Sequence, residues 1–222
     1  MFPSLCFTHH NPDDSSKPKN YHPPHPNTDD ENILVNPVAN TNIILIYENE
    51  LDLDNAISTY LNEGLKRGQI CVYASVSLGN NGYLENFSSH IVNYQENVES
   101  GNLKLVDLAS YYVNTMVGNL KSFDNFKKEI ISILEQDKNR VDKHVRVTED
   151  CATLLFKNKR LHPCMLVKEW CRRNPLEGSY LCPYPRSLLN QFPYNNYVSR
   201  ILNDQDIIIE SNGKLISFIP EV

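Results

Sequence analysis

Residues 43–47, Ile-Ile-Leu-Ile-Tyr, form an unbroken apolar run, the pattern of a strand covered on both faces in a parallel sheet. The next segment, 53–66, carries Leu53, Ile57, Tyr60, Leu61 and Leu65 at helical spacing, with Gly68 just beyond as a stop; it predicts an amphipathic helix. The same beat continues along the chain. Strands are predicted at 70–74, 103–107, 144–148 and 180–182, and helices at 83–94, 123–137, 163–173 and 196–202. Alternation of this kind predicts a layered α/β domain with a mainly parallel central sheet. Near the end, apolar runs at 206–210 and 215–218 flank Ser211-Asn212-Gly213 and predict a C-terminal β-hairpin. No segment repeats at a fixed period.

The first 40 residues read differently. They hold seven of the 13 prolines together with Asp-Asp-Ser-Ser and Asp-Asp-Glu clusters. Proline removes backbone donors and fixes φ, and so little apolar surface cannot offset chain entropy. A disordered, acidic tail is therefore expected over 1–40, with a single domain over 41–222. The tail holds Cys6-x-x-His9-His10 and His22-x-x-His25, but zinc sites sit on turns that preorganise their ligands, so no metal site is expected there.

Composition narrows the possibilities. Hydrophobic residues make up 41% and charged residues 22% of the 222, as in a globular protein. No run of about 18 apolar residues exists, so no membrane span is expected, and the first residues lack the basic and apolar regions of a secretory signal. The expected location is the cytoplasm. Six thinly spread cysteines then read as reduced thiols. A net charge of −6 argues against a general polyanion binder. One strip does run the other way. Residues 157–186 carry Lys157, Lys159, Arg160, Lys168, Arg172, Arg173 and Arg186 against Glu169 and Glu177, and such a strip reads first as a solvated helix face and second as a contact for an acidic protein surface or nucleic acid.

In an open parallel sheet, ligands bind beyond the carboxyl ends of the strands. The residues that follow the predicted strands are Glu48-Asn49-Glu50, Ser75, Asp107, Glu149-Asp150 and Pro183-Tyr184. A shared crevice built from them is acidic and adds the Cys182 thiol and the Tyr184 phenol. A phosphate cradle needs glycines for close backbone approach and a lysine for charge, and residues 48–53 offer neither. Carboxylates after strands also cap the next helix, so Glu50, Asp52 and Asp150 have that structural reading beside the functional one. Cys164 and Cys171, seven apart, read as core. Cys151 is a weak nucleophile candidate, because Glu149 and Asp150 oppose thiolate formation. No Ser-His-Asp or Cys-His order with a nucleophile elbow is present, and no catalytic residue, cofactor or metal is assigned.

Taken together, Ile43-Ile-Leu-Ile-Tyr-Glu-Asn49, Glu63-Gly-Leu-Lys-Arg-Gly68 before Cys71-Val-Tyr73, Glu99-Ser-Gly-Asn-Leu103, Arg146-Val-Thr-Glu149 and Leu181-Cys-Pro-Tyr184 resemble, in order, the motifs of the MEDS domain, the sensory domain named for methanogens, methylotrophs and the dichloromethane-response regulator. The resemblance covers about residues 42–209. It implies a three-layer RecA-like α/β domain without a phosphate-binding loop, used as an input module in prokaryotic signalling. It also implies ligand-binding roles for Tyr47, Glu48, Arg146, Thr148, Glu149, Cys182 and Tyr184. Two departures stand out: Glu149 replaces the family's usual glycine after the threonine, leaving the acidic role open between Glu149 and Asp150, and Asn42 replaces a histidine. The expected function is a free-standing sensory domain that binds a neutral or cationic small molecule, or a signalling protein, without hydrolysing ATP. The alternative is a divergent RecA-like enzyme acting on a nucleotide or small substrate.

Overall fold

A computed structural model describes residues 32–136, 140, 142–190, 196–203 and 205–216. Its elements run β1 (Thr41–Tyr47), α1 (Glu50–Lys66), β2 (Ile70–Ser75), a short 3-10 helix (Val76–Gly79), α2 (Asn81–Ser89), α3 (Tyr94–Glu99), β3 (Leu103–Asp107), α4 (Ala109–Met116), α5 (Lys121–Gln136), β4 (Val145–Glu149), α6 (Cys151–Lys157), α7 (Leu161–Arg173), β5 (Gly178–Pro185), α8 (Arg186–Asn190), α9 (Asn196–Asn203) and β6 (Ile207–Glu210). The six strands form one sheet in the order β3-β2-β4-β5-β1-β6. Every pairing between them is parallel.

The apolar runs are buried on both faces because each face carries its own core. Ile43, Leu45, Cys71, Tyr73 and Leu181 pack with Ala56, Ile57, Tyr60 and Leu61 of α1 and Phe87 of α2. On the opposite face Ile44, Val72, Val147 and Cys182 pack with Phe126 and Ile130 of α5, Phe156 of α6, Val167 and Trp170 of α7 and Ile201 of α9. Helix, sheet and helix make the three layers that the family resemblance implies, with each strand's successive side chains feeding opposite cores. The hairpin expectation holds as far as the described residues reach. Gly213, at φ 82°, turns the chain so that the Ile216 amide donates to the Ile208 carbonyl at 2.9 Å and Ile209 faces Leu215 in an antiparallel bridge; residues from 217 on lie outside the described part.

The local expectations are revised at several points. The helix expected over 83–94 is two helices, because Asn62 of α1 intervenes: its Nδ2 donates to the His90 carbonyl at 2.9 Å and its Oδ1 accepts from the Val92 amide at 2.9 Å. Asn93 then adopts a left-handed conformation, φ 46°, which asparagine tolerates better than most residues. α4, α6 and α8 lie outside the helices predicted from the sequence.

The disordered tail expected over 1–40 also ends too late. Residues 1–31, with Cys6 and His9, His10, His22 and His25, lie outside the described part. From Asn32 the chain packs on the domain: Ile33 and Leu34 are each 2% exposed and join the α1-side core. Asn32 Nδ2 donates to the Asn212 carbonyl at 3.1 Å. The cause is Arg146, which the proline count cannot reveal. Its guanidinium, wholly buried, donates to the carbonyls of Leu34, Val35 and Tyr60, each at 2.9 Å, and to Gln69 Oε1 at 2.7 Å.

Candidate functional site

Between the carboxyl ends of β1, β2, β4 and β5 lies a cleft of about 170 Å³. Its lining comes from the strand ends, the first turns of α1, the start of the 3-10 helix, and α6. Tyr47 is the last residue of β1, and the two-residue connection Glu48-Asn49 leads straight into α1, whose start is capped by Asn49 Oδ1 accepting from the Asp52 amide at 3.0 Å. That tight turn brings Glu50 to the rim and Leu53 and Ile57 to one wall. Thr148, Glu149 and Asp150 line the cleft from the end of β4, Tyr73 from β2, Tyr83 from α2, Pro183 from β5, and Thr153, Leu154 and Lys157 from α6.

The electrostatics follow from burial. Asp150 Oδ2 accepts from Ser75 Oγ at 2.5 Å and Oδ1 from the Val76 amide at 3.1 Å, so this acid ties the end of β2 to the end of β4. Burial nevertheless holds its carboxyl up at about 6 against those donors, with the Glu149 charge acting in the same upward direction. Glu149 is itself almost buried. Its Oε1 accepts from the Cys182 thiol at 3.3 Å and its Oε2 from the Ala152 amide at 3.4 Å. The Tyr47 phenol is pushed up to about 12 by burial and by the charges of Glu50 and Asp150. The Tyr73 and Tyr83 hydroxyls hydrogen-bond each other. Thr148 is 1% exposed, and its Oγ1 is buried without a hydrogen-bond partner among the described residues, an uncommon state for a polar group beside the cleft.

Of the seven residues assigned to the site, three line the cleft: Tyr47, Thr148 and Glu149. The other four do not, and strand alternation explains most of it. Arg146 lies two residues before Thr148 on the same face, but toward the amino end of β4 and beneath α1, where it binds carbonyls and stands 5.2 Å from the Tyr60 ring centre. Cys182 and Tyr184 alternate onto the α7 face. Tyr184 packs at 6.3 Å from the Phe156 ring, with Lys168 Nζ 6.0 Å from its own ring centre. Cys182 reaches the site only through its thiol bond to Glu149, and burial pushes that thiol up to about 12. Glu48 is exposed and pairs with Arg186, which also reaches Glu210 Oε1 at 3.2 Å. Both acids after β4, Glu149 and Asp150, line the cleft.

Sequence reasoning missed Tyr73, Tyr83, Thr153 and the wall formed by Leu53 and Ile57. Tyr73 did carry a signal, since it stands near the end of β2 as Tyr47 stands at the end of β1. Asp150 does not cap α6 with its side chain, contrary to the capping reading, because its oxygens are taken by Ser75 and Val76. Asp52 sits in the first turn of α1, as that reading expected. Cys151 is wholly buried and its thiol is raised by burial, Glu149 and Asp150, which removes it as a nucleophile. The basic strip does not form one face: Lys168 is buried, Arg172 and Arg173 both pair with Glu169, at 2.9 and 2.5 Å, and Arg186 pairs across to Glu48 and Glu210. Among the described residues, no cluster of three or more His, Cys, Asp or Glu side chains is placed to hold a metal ion, and no helix is long and apolar enough to cross a membrane.

Among solved structures, the chain is similar to the flagellar accessory protein FlaH from Methanocaldococcus jannaschii, at 10% identity and a TM-score of 0.42, over 82% of this chain and 75% of that one. It is also similar to the cytoplasmic domain of the type VII secretion ATPase EccC from Thermomonospora curvata, at 8% identity and a TM-score of 0.44, over 81% of this chain but 21% of that one. No curated protein matches the chain. Residues 43–194, from the first strand through the cleft-forming elements to the segment after α8, match the model of the MEDS family, described as the MEthanogen/methylotroph, DcmR Sensory domain, and the chain belongs to that family.

Proposed function

We propose that the cleft is the input site of this sensory domain, that it binds a small neutral or cationic molecule, and that the domain does not hydrolyse ATP. One observation carries the reading. The connection between β1 and α1, where a phosphate would need a glycine-rich amide nest and a lysine, is the two-residue turn Glu48-Asn49 with Glu50 and Asp52 in the turn that follows. Behind it stand Glu149 and Asp150. A triphosphate brought there meets carboxylates where it needs donors, and Coulomb repulsion opposes it. The size of the space supports the same reading: an apolar cavity of about 150 Å³ holds a benzene molecule, and a cleft of about 170 Å³ matches a ligand of similar bulk.

Calorimetric titration with magnesium-ATP is the direct test. No association tighter than about 1 mM, or roughly 4.1 kcal/mol, is expected. A micromolar dissociation constant that disappears in Glu149→Gln would overturn the sensor reading in favour of the divergent enzyme.

A further inference from the structure

The cleft is more selective than its acidity alone implies. Its carboxylates are already engaged by internal donors: Glu149 by the Cys182 thiol and the Ala152 amide, Asp150 by Ser75 and Val76. A hard divalent cation needs about six or more oxygen ligands, and among the described residues no group of three or more His, Cys, Asp or Glu side chains is placed to supply such a set. The charges still act at a distance. Glu50 at the rim, with Glu149 and Asp150, outnumbers Lys157, an exposed residue at the far end of α6. The space therefore favours a cation that needs no tight oxygen cage.

Two further features define that cation. Leu53, Ile57, Leu154 and Pro183 give the cleft an apolar side, which a hydrated metal ion or a sugar would leave unused. Thr148 lines the cleft and keeps a buried hydroxyl oxygen with no partner among the described residues. A buried hydroxyl left unpaired costs free energy, and the site recovers it when a ligand supplies a donor. An N–H group beside the carboxylates, with an alkyl chain lying along the leucine and isoleucine side chains, meets all of these conditions at once.

We propose, resting on the reading of this cleft as the ligand site, that it takes a small protonated alkylamine, with the ammonium N–H accepted by Thr148 Oγ1 within the field of the carboxylates and the alkyl part against Leu53 and Ile57. The test compares butylammonium with 1-butanol at pH 7.5, where an alkylamine with a pKa near that of lysine, about 10.4, is charged. The two probes have the same chain length and differ in the head group. Binding is followed by chemical shifts of the tyrosines under titration, at constant ionic strength. Butylammonium is expected to bind at least about ten-fold tighter than butanol, a difference of roughly 1.4 kcal/mol.

Two variants locate the effect. Glu50→Gln, on the exposed rim, removes charge without touching the core and is expected to weaken the amine by about three-fold while sparing butanol. Thr148→Val removes the hydroxyl isosterically; it is expected to leave the melting temperature unchanged or raised while weakening the amine, a split that a purely structural threonine would not produce. Equal affinity for the two probes would overturn the amine proposal and leave the cleft reading standing. Absence of any shift at Tyr47, Tyr73 and Tyr83 with either probe would overturn both. Amine binding unaltered in both variants would show association with the acidic surface and would also overturn the proposal.

Discussion

Arg146 and Asp150 stand four residues apart and show two ways of burying charge. Arg146 is surrounded by carbonyl oxygens, which satisfy its donors without a carboxylate, and α1 passes over it closely enough that a Cβ on Gly64 would come within 2.7 Å of its Cδ. The glycine is thus explained by close approach. Asp150 has its donors too, yet its carboxyl stays at about 6 rather than in the usual range, chiefly through burial. The consequence for stability has a definite sign. The folded value lies above the unfolded one, so the contribution of Asp150 is fully present below about pH 4 and is lost as pH rises through about 6. At roughly 1.36 kcal/mol per unit, the loss is at most about 3 kcal/mol. Chemical denaturation of the natural protein and of Asp150→Asn should show this: the difference between their unfolding free energies should change by up to that amount between pH 4 and 6.5, the natural chain losing ground as pH rises. A difference independent of pH would mean that Asp150 does not titrate in this window.

At the level of elements, the segment over residues 32–36 is the clearest departure from what the chain pattern foretold. It is a turn rather than a helix or strand, and it carries only two apolar anchors. Ile33 and Leu34 are nevertheless buried, at 2% exposure each, and the carbonyls of Leu34 and Val35 complete the shell around Arg146. Burial of two such side chains stabilises by roughly 1.5–3 kcal/mol each. A chain beginning at residue 32 should therefore melt higher than one beginning at residue 41 by on the order of 10 °C, at about 2–4 °C per kcal/mol for a domain of this size. Equal midpoints would return the segment to the tail. Strands were legible because an unbroken apolar run has few alternatives, whereas this turn is specified by a contact with a residue more than a hundred positions away. α1 and α7 were legible for the same local reason, and the break between α2 and α3 was not, since Asn62 of a different helix makes it. The candidate site divides along the same line. Glu149 was foreseen from its position after a strand, and Tyr47 and Thr148 from the family resemblance, but the motif around Cys182 and Tyr184 gave no indication of which face each would take, and alternation sent both to the opposite core.

Across the whole molecule, two cores flank one sheet, and the described cysteines report on both. Cys71 belongs to the α1 side, and Cys151, Cys164, Cys171 and Cys182 to the other. All five are buried and unbridged. Their thiols are raised chiefly by burial, and the thiolate is the reactive form, so a thiol reagent meets neither access nor ionisation in the folded state. If the two cores melt as one cooperative unit, exposure of any of these sulfurs requires the opening that exposes them all. In a Cys6→Ser variant, which removes the thiol outside the described residues, reagent uptake in native buffer should be slow and follow a single rate common to all five sites. Denaturant should release the five together at the midpoint seen by circular dichroism. Site-resolved mass spectrometry decides the point: faster labelling of Cys71 alone would show the α1 layer opening independently, and faster labelling of Cys182 alone would show that the cleft admits reagent past Glu149, either of which would separate the two halves of the fold that the single sheet joins.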